Sequence, residues 1–395
     1  MPVARRLILL FIAVLVLSST VGWVASRFLK RIFDPLGSGR KEVQIKSQPR
    51  PPRIHPIVDE DGKTAGLPLD QALDVLDCEH DPDALNKFSV VVASRFRREK
   101  FEELDRTADQ LLKAKARFPG GAWKIHRFIG AIGECPGGAD RPETDWQAHL
   151  GRFRKWMAQQ PGSATAPVAY AQGLTNYAWK ARGEGWASEV SKDGWNQFGD
   201  RLKQARNILQ QAPKTQPRGP EWYLGMMTVA LGQSWERDEY EKLFAEAIKS
   251  EPLYFGLYSA KAYFLLPRWH GAEGEWEDFA TDAADRIGGA KGDAMYYFIV
   301  SGQVPMFDSK VFFKNPKISW PRMKRGFTSI EKEYRMSYPT LNAYCHLAGR
   351  AGDRPEALAA FARIGTHWDP DTWKTKDIFD NFKDWANREG EYAKR

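Results

Sequence analysis

Apolar residues recur through most of this chain at the three- and four-residue spacing that an amphipathic helix requires. Two early runs end at helix-stopping residues: Phe101, Leu104, Ala108, Leu111 and Leu112 before Phe118-Pro-Gly-Gly121, and Trp146, Leu150, Phe153 and Met157 before Pro161-Gly162. Further runs are predicted near residues 166–182, 195–212, 220–234, 238–250, 253–266, 275–287, 319–336, 339–351 and 355–365. Alternating valine-rich strands are absent from the sequence, and only Lys310–Ser319 suggests a short extended piece. We therefore predict an all-α body.

The predicted helices also pair. Phe244, Ala247 and Pro252 have the spacing of a phenylalanine, a small residue and a closing proline that is typical of the second helix of a tetratricopeptide-type repeat. A later run repeats part of this spacing with Phe361, Ile364 and Pro370. Insertions such as Gly183–Gly194 interrupt any regular period. The sequence therefore predicts an irregular, tetratricopeptide-like solenoid of helix pairs, each of which buries its apolar face on its neighbours.

The amino-terminal segment contains a long apolar run. Residues 7–17 are all apolar, and no charged residue occurs in residues 7–26. As a helix these residues would reach about 30 Å, which is the thickness of a hydrocarbon core. We predict that residues 1–26 are a signal-anchor or transmembrane segment. Arg5 and Arg6 before the run also fit a cleaved signal peptide, but Trp23 lies where a cleavage site would need a small residue.

Charge is concentrated near the same end of the chain. The first 53 residues hold 10 Lys and Arg against 2 Asp and Glu, whereas the whole chain holds 58 against 50, so the rest is balanced. A balanced body argues against a nucleic-acid partner, which needs clustered basic residues. Residues 27–67 are rich in proline and glycine and predict a basic linker, with Arg27, Lys30 and Arg31 beside anionic phospholipid. Residues 68–395 are the predicted helical-repeat body.

Three tryptophan-containing segments of the body carry a resemblance to a known family. They are Asn176–Phe198 (NYAWKARGEGWASEVSKDGWNQF), Pro220–Trp235 (PEWYLGMMTVALGQSW) and Leu265–Phe279 (LLPRWHGAEGEWEDF). Together they resemble the bacterial family catalogued as domain of unknown function 4034. The resemblance implies a helical, repeat-like domain with no assigned chemistry and no catalytic residues. We place the family-like core at about residues 120–300 and further repeat-like helices at 319–390.

For a bacterial chain, the predicted location is the inner membrane with a single span. Lys and Arg residues following the apolar run favour a body on the cytoplasmic side, because positive flanks stay inside. A short amino-terminal segment that resembles a signal favours export instead. These two predictions disagree, and we expect the body on the periplasmic side.

The body's aromatic residues are the main candidates for a site. Most of them are expected to pack between helices, and a minority is predicted to line a ligand groove on the concave face. That groove is predicted to contain Trp179, Arg182, Trp186, Trp195, Trp222, Trp269 and His270. His270, Glu273 and Glu277 make at best a loose set of metal ligands, and no metal site, cofactor or catalytic residue is predicted.

The function predicted from these features is a membrane-anchored helical-repeat interaction or scaffold module. It would bind a protein or peptide partner through its concave face. The alternative is a cell-envelope enzyme, of a hydrolase-like kind, whose site is assembled from residues distant in sequence. A deep pocket with perturbed carboxylates or histidines would favour the enzyme, and an open groove would favour binding.

Overall fold

The computed structural model describes residue 64 and residues 66–183, 190–213, 218–307 and 311–388. Within these ranges the chain forms 17 α-helices, two short 3₁₀ turns and no strand. The predicted all-α body is therefore confirmed. No helix within the described ranges is long and apolar enough to cross a bilayer, and the predicted span at 7–26 lies outside them.

The first helices are α1 (Leu69–Asp74), α2 (Ala84–Arg97), α3 (Phe101–Lys113), α4 (Lys124–Gly133), α5 (Glu143–Gln159), α6 (Thr165–Arg182), α7 (Lys192–Gln211), α8 (Pro220–Gly232) and α9 (Arg237–Ser250). They are followed by α10 (Phe255–Phe264), α11 (Glu275–Ile287), α12 (Gly289–Gln303), α13 (Trp320–Tyr334), α14 (Tyr338–Arg350), α15 (Arg354–Ile364), α16 (Pro370–Trp373) and α17 (Lys376–Asn387). The 3₁₀ turns are Val304–Met306 and Phe312–Lys314.

Helices α4 and α12 are among those without a counterpart in the predicted runs. Helix α12 buries side chains on several faces, among them Met295, Tyr296 and Val300, so it has no polar stripe to reveal its period. Helix α4 is short, and its apolar stripe of Ile125, Phe128, Ile129 and Ile132 extends over only two turns. The extended piece predicted at Lys310–Ser319 is wrong for the residues described there, since Phe312 is buried in a 3₁₀ turn against the core.

Helices pack in two ways along the chain. Each helix from α2 to α13 contacts a neighbour in sequence, most extensively α6 with α7 and α12 with α13. The even-numbered helices from α2 to α12 also contact one another in series, which we call the inner row. The odd-numbered helices flank this row. Because the even helices are the ones in continuous contact, they form the inner side of the curved stack.

The curvature brings the two ends of the body together. Residues 116–123, which we call the closing segment, fold back on themselves through a bridge between Arg117 and Trp123. The Gly120 amide donates to the carbonyl of Arg335, at 2.9 Å. The Arg335 guanidinium in turn pairs with Glu79 at 2.6 Å. The early helices thus contact the α13–α14 turn, and the stack closes on itself.

Tryptophan provides much of the core. Five indole rings are fully buried between helices: Trp123, Trp146, Trp156, Trp276 and Trp373. Trp156 also donates its indole N–H to Asp105 at 3.1 Å, which links α5 to α3. These residues agree with the expectation that most aromatics pack between helices rather than line a groove.

Gly121 provides a test of the closure. Its φ is +83°, and a Cβ atom there would lie 3.0 Å from ring atoms of both Phe298 and Tyr334. Gly138 has a similar φ of +93° with no heavy atom within 4 Å of a built Cβ. We expect Gly138→Ala to lose about 1 kcal/mol of unfolding free energy from backbone strain alone. Gly121→Ala should lose roughly 2–4 kcal/mol, because crowding adds to that strain.

Chemical denaturation of the two variants beside the parent chain measures the difference. Equal losses for Gly121→Ala and Gly138→Ala would show that the closing segment does not pack against α12 and α13 as described.

Candidate functional site

A buried carboxylate lies where the amino-terminal ends of three inner helices meet. Glu221 is in the first turn of α8, and its side chain is 8% exposed. It accepts a hydrogen bond from the hydroxyl of Tyr254, and Tyr254 is the residue immediately before α10. It also pairs with Nδ1 of His126, in the first turn of α4, at 3.0 Å. One carboxylate therefore joins α4, α8 and α10.

The electrostatics of this group follow from burial and from the shared carboxylate. Burial by itself would lower the pKa of His126, but the Glu221 charge outweighs it, and the pKa is raised above the ordinary value. Burial and the same carboxylate raise the pKa of Tyr254 well above its ordinary value. Glu221 also suits the first turn of α8, because the helix dipole stabilises negative charge there.

The closing segment covers the amino-terminal ends of these inner helices. The rings of Trp123 and Tyr254 lie 4.5 Å apart between centroids. The Arg117 guanidinium lies over the Trp123 ring, 3.2 Å from its centroid. Lys115, just before the segment, pairs with Glu251 at 2.7 Å. The chain itself thus occupies the concave face at this end.

The set of His126, Glu221 and Tyr254 contains groups able to exchange protons. The carboxylate is bonded to both other groups, however, and the closing segment packs against Tyr254. A general acid or base must reach a substrate proton within hydrogen-bonding distance. We therefore interpret this set as a structural network.

Most of the predicted groove residues lie toward the carboxyl-terminal ends of the inner helices, opposite the Glu221 network. Trp179 and Arg182 are in the last turn of α6, and Trp195 is in the first turn of α7. The Arg182 guanidinium carbon lies 5.6 Å from the Trp179 ring centroid and 5.5 Å from that of Trp195. Both indoles are half-buried, and both pack edge-on against Phe198. The structure therefore brings these three predicted residues together.

The turn after α10 completes the arrangement. The rings of Tyr263 and Trp269 lie 5.8 Å apart, and the Arg268 guanidinium donates to the carbonyl of Met306 at 2.9 Å. Arg182 and Arg268 both lie close to the buried Tyr263 phenol. We call this surface the indole–arginine face; it consists of Trp179, Arg182, Trp195, Tyr263, Arg268 and Trp269.

Hydrogen bonding distinguishes the tryptophans of this region. The indole N–H groups of Trp179 and Trp269 are buried, and neither has an acceptor in the part of the chain that the structure describes. Trp222 is instead buried between helices, and its indole N–H donates to the carbonyl of Leu209 at 2.8 Å. Trp222 therefore lies outside the indole–arginine face, and Trp186 lies outside the described residues.

Charge on this face is positive and partly desolvated. Burial lowers the pKa of the Arg182 and Arg268 guanidinium groups. Arginine stays protonated at neutral pH even so. His270 stacks on Phe264 with 4.3 Å between ring centroids, and burial lowers the pKa of its imidazole. The face consequently combines two guanidinium groups with half-buried indole rings around the buried Tyr263.

The residues weighed as metal ligands do not converge. Glu277 accepts a hydrogen bond from Asn315 at 2.7 Å, whereas Glu273 is exposed and His270 stacks on Phe264. No group of three or more His, Cys, Asp or Glu residues able to hold a metal ion occurs among the residues that the structure describes.

Sequence reasoning missed the network around Glu221 and two residues of the indole–arginine face, Tyr263 and Arg268. His126 and Glu221 are 95 residues apart, so no local motif joins them. Arg268 directly precedes Trp269 in the sequence, and only this adjacency could have placed Arg268 in the predicted groove.

Comparison with known proteins identifies one part of the chain. Residues 89–218 match the family model described as "Domain of unknown function (DUF4034)". The resemblance seen in the sequence is thereby confirmed. The match covers α3 to α7 in full, and so includes His126, Arg182 and Trp195, whereas Glu221 and Trp269 follow it. No curated protein and no solved structure matches the chain.

The His126–Glu221 pair should make a pH-dependent contribution to stability. The folded pKa of His126 is raised, so its contribution is complete below its unfolded pKa of about 6.5 and is lost as pH rises through the folded value. A double-mutant cycle with His126→Asn and Glu221→Gln should give a coupling energy of roughly 1–3 kcal/mol near pH 6 that decreases toward pH 9.

Each single variant should itself be strongly destabilised, because it leaves a buried polar partner unpaired. His270→Asn is the control, since the pKa of His270 is lowered rather than raised. A coupling energy that stays constant from pH 6 to pH 9 would contradict the assignment.

Proposed function

We propose that this chain, whose residues 89–218 match the DUF4034 model, is a membrane-anchored helical-repeat interaction module. It binds a protein or peptide partner through the indole–arginine face. The observation that carries the proposal is the pair of indole N–H donors, on Trp179 and Trp269, without acceptors among the described residues. An unsatisfied buried donor costs about 1–3 kcal/mol, and a partner that opens the contact around these N–H groups and supplies acceptors would recover that cost.

The composition of the face favours a peptide with carbonyl or carboxylate groups. Tryptophan and arginine are the residues most often responsible for binding energy at protein interfaces. A half-buried guanidinium such as that of Arg268 binds carboxylates, and half-buried rings such as Trp195 supply apolar contact. An extended acidic segment would satisfy both requirements.

The position of the face within the fold also supports binding there. At the other end of the inner row the chain's own closing segment lies against Tyr254. A partner at that end would have to displace Trp123, which is fully buried. The face around Trp179 and Trp269 remains half-buried, so a partner can reach its rings.

Membrane anchoring through residues 7–26 is part of the same proposal. It is supported by the uncharged run and by Arg27, Lys30 and Arg31, which would contact anionic headgroups. The linker would then hold the helical body near the bacterial inner membrane, and we place that body in the periplasm.

A Trp179→Phe, Trp269→Phe double variant tests the binding face. It removes both N–H donors while keeping aromatic rings in place. A photo-crosslinking residue at position 195 of the full chain, in native membranes, should capture a partner. The double variant should bind that purified partner about 10- to 100-fold more weakly, because two hydrogen bonds are lost.

Trp235→Phe is the matched control, since Trp235 is half-buried and its N–H donates to Gln233 at 3.1 Å. Its affinity should equal that of the parent. Unchanged affinity in the double variant would refute the assigned face. Turnover of a small molecule with no captured partner would favour the enzyme alternative instead.

A further inference from the structure

Arg117, which is half-buried, differs from the buried arginines of this protein. Its guanidinium lies over the Trp123 ring, 3.2 Å from the centroid, and 5.7 Å from the centroid of Tyr334. It forms no hydrogen bond or ion pair through its side chain with any residue that the structure describes. By contrast, Arg127 donates to the carbonyl of Leu85 at 2.8 Å, and Arg201 donates to that of Tyr177 at 2.7 Å.

This guanidinium is a poorly compensated charge. Burial lowers the pKa of Arg117 to about 10, so the group is still protonated at neutral pH. Glu251 and Glu333 act on it from a distance, but each has its own partner. Glu251 pairs with Lys115 at 2.7 Å, and Glu333 bonds with the hydroxyl of Tyr334. A desolvated charge without a hydrogen-bonding counter-ion is costly to the folded chain.

We propose that Arg117, held against Trp123 near Tyr334, binds the carboxylate group of a ligand. Because the Trp123 ring covers a face of the guanidinium, its N–H edges are left for an acceptor. A carboxylate is planar and accepts two parallel N–H bonds in that plane. Arg117 is half-buried, so a small acid or the carboxyl end of a peptide can approach it.

The surrounding charge favours a carboxylate over a phosphate. Glu251 and Glu333 both lie near enough to affect the charge of Arg117. Each of them repels an anion, and a doubly charged phosphate is repelled more strongly than a singly charged carboxylate. This carboxylate site lies at the closing segment, whereas the indole–arginine face lies toward the other end of the inner row. The inference is therefore independent of the proposed partner-binding function.

Isothermal titration of the full chain in detergent micelles tests the proposal with four probes. They are acetate, a tripeptide with a free carboxyl terminus, the same tripeptide amidated, and inorganic phosphate. We expect saturable one-to-one binding of the free tripeptide, at least tenfold weaker binding of the amidated one, and phosphate weaker than acetate. Acetate binding as tight as the tripeptide would identify a small acid as the ligand, and tighter tripeptide binding would identify a peptide terminus.

Two variants add a readout that does not depend on the ligand's identity. Arg117→Gln should abolish binding of the free tripeptide, and Arg117→Lys should weaken it at least tenfold, because lysine cannot form the paired contact. Without ligand, Arg117→Gln should leave the melting temperature unchanged or raised, since an uncompensated charge is removed. Arg325→Gln, which removes an arginine paired with Asp293 at 2.7 Å, is the control and should bind normally.

Several outcomes would overturn the proposal. They are equal binding of the free and amidated tripeptides, phosphate binding tighter than acetate, no binding of any carboxylate probe, or a marked fall in melting temperature for Arg117→Gln. The comparison of free with amidated tripeptide uses the unmodified chain, so it tests carboxylate binding even where a variant fails to fold.

Discussion

The fold depends on one buried carboxylate. Glu221 lies in the first turn of α8 and is bonded to side chains at the start of α4 and just before α10. Three helices of the inner row thus meet at a single charge, which their positive amino-terminal ends help to stabilise. Removing either partner would leave the carboxylate buried with fewer bonds, at a cost of several kcal/mol. The register of the inner helices is therefore specified by polar chemistry as well as by packing.

The consequence is that the two ends of the inner row differ. At the amino-terminal ends of the helices, the closing segment packs against Tyr254, and its Gly120 is bonded to Arg335 across the closure. Toward the carboxyl-terminal ends, Arg182 lies over the half-buried rings of Trp179 and Trp195, and the half-buried Trp269 packs against Tyr263. The concave face is thus partly occupied by the chain itself. The proposed partner-binding face lies toward the other ends of the inner helices.

Most of the runs predicted from the sequence coincide with helices. The run predicted at residues 275–287 coincides with α11, whereas α12 was missed because Tyr296 and Tyr297 lie among buried residues on several faces. Trp179, Arg182 and Trp195 could be grouped because they are close in sequence. Glu221 and His126 could not, because a contact across 95 residues depends on the curvature of the whole stack.

The most direct test of the closure is a distance between its two sides. Spin labels at exposed Asp83 and Lys332, with Cys78 replaced by serine, would lie near the contact between Glu79 and Arg335. Pulsed electron paramagnetic resonance should give one short, narrow distance distribution for the parent chain. It should give a broader and longer one for Glu221→Gln. A broad distribution in the parent chain, or identical narrow distributions in both, would contradict the claim that Glu221 holds the stack closed.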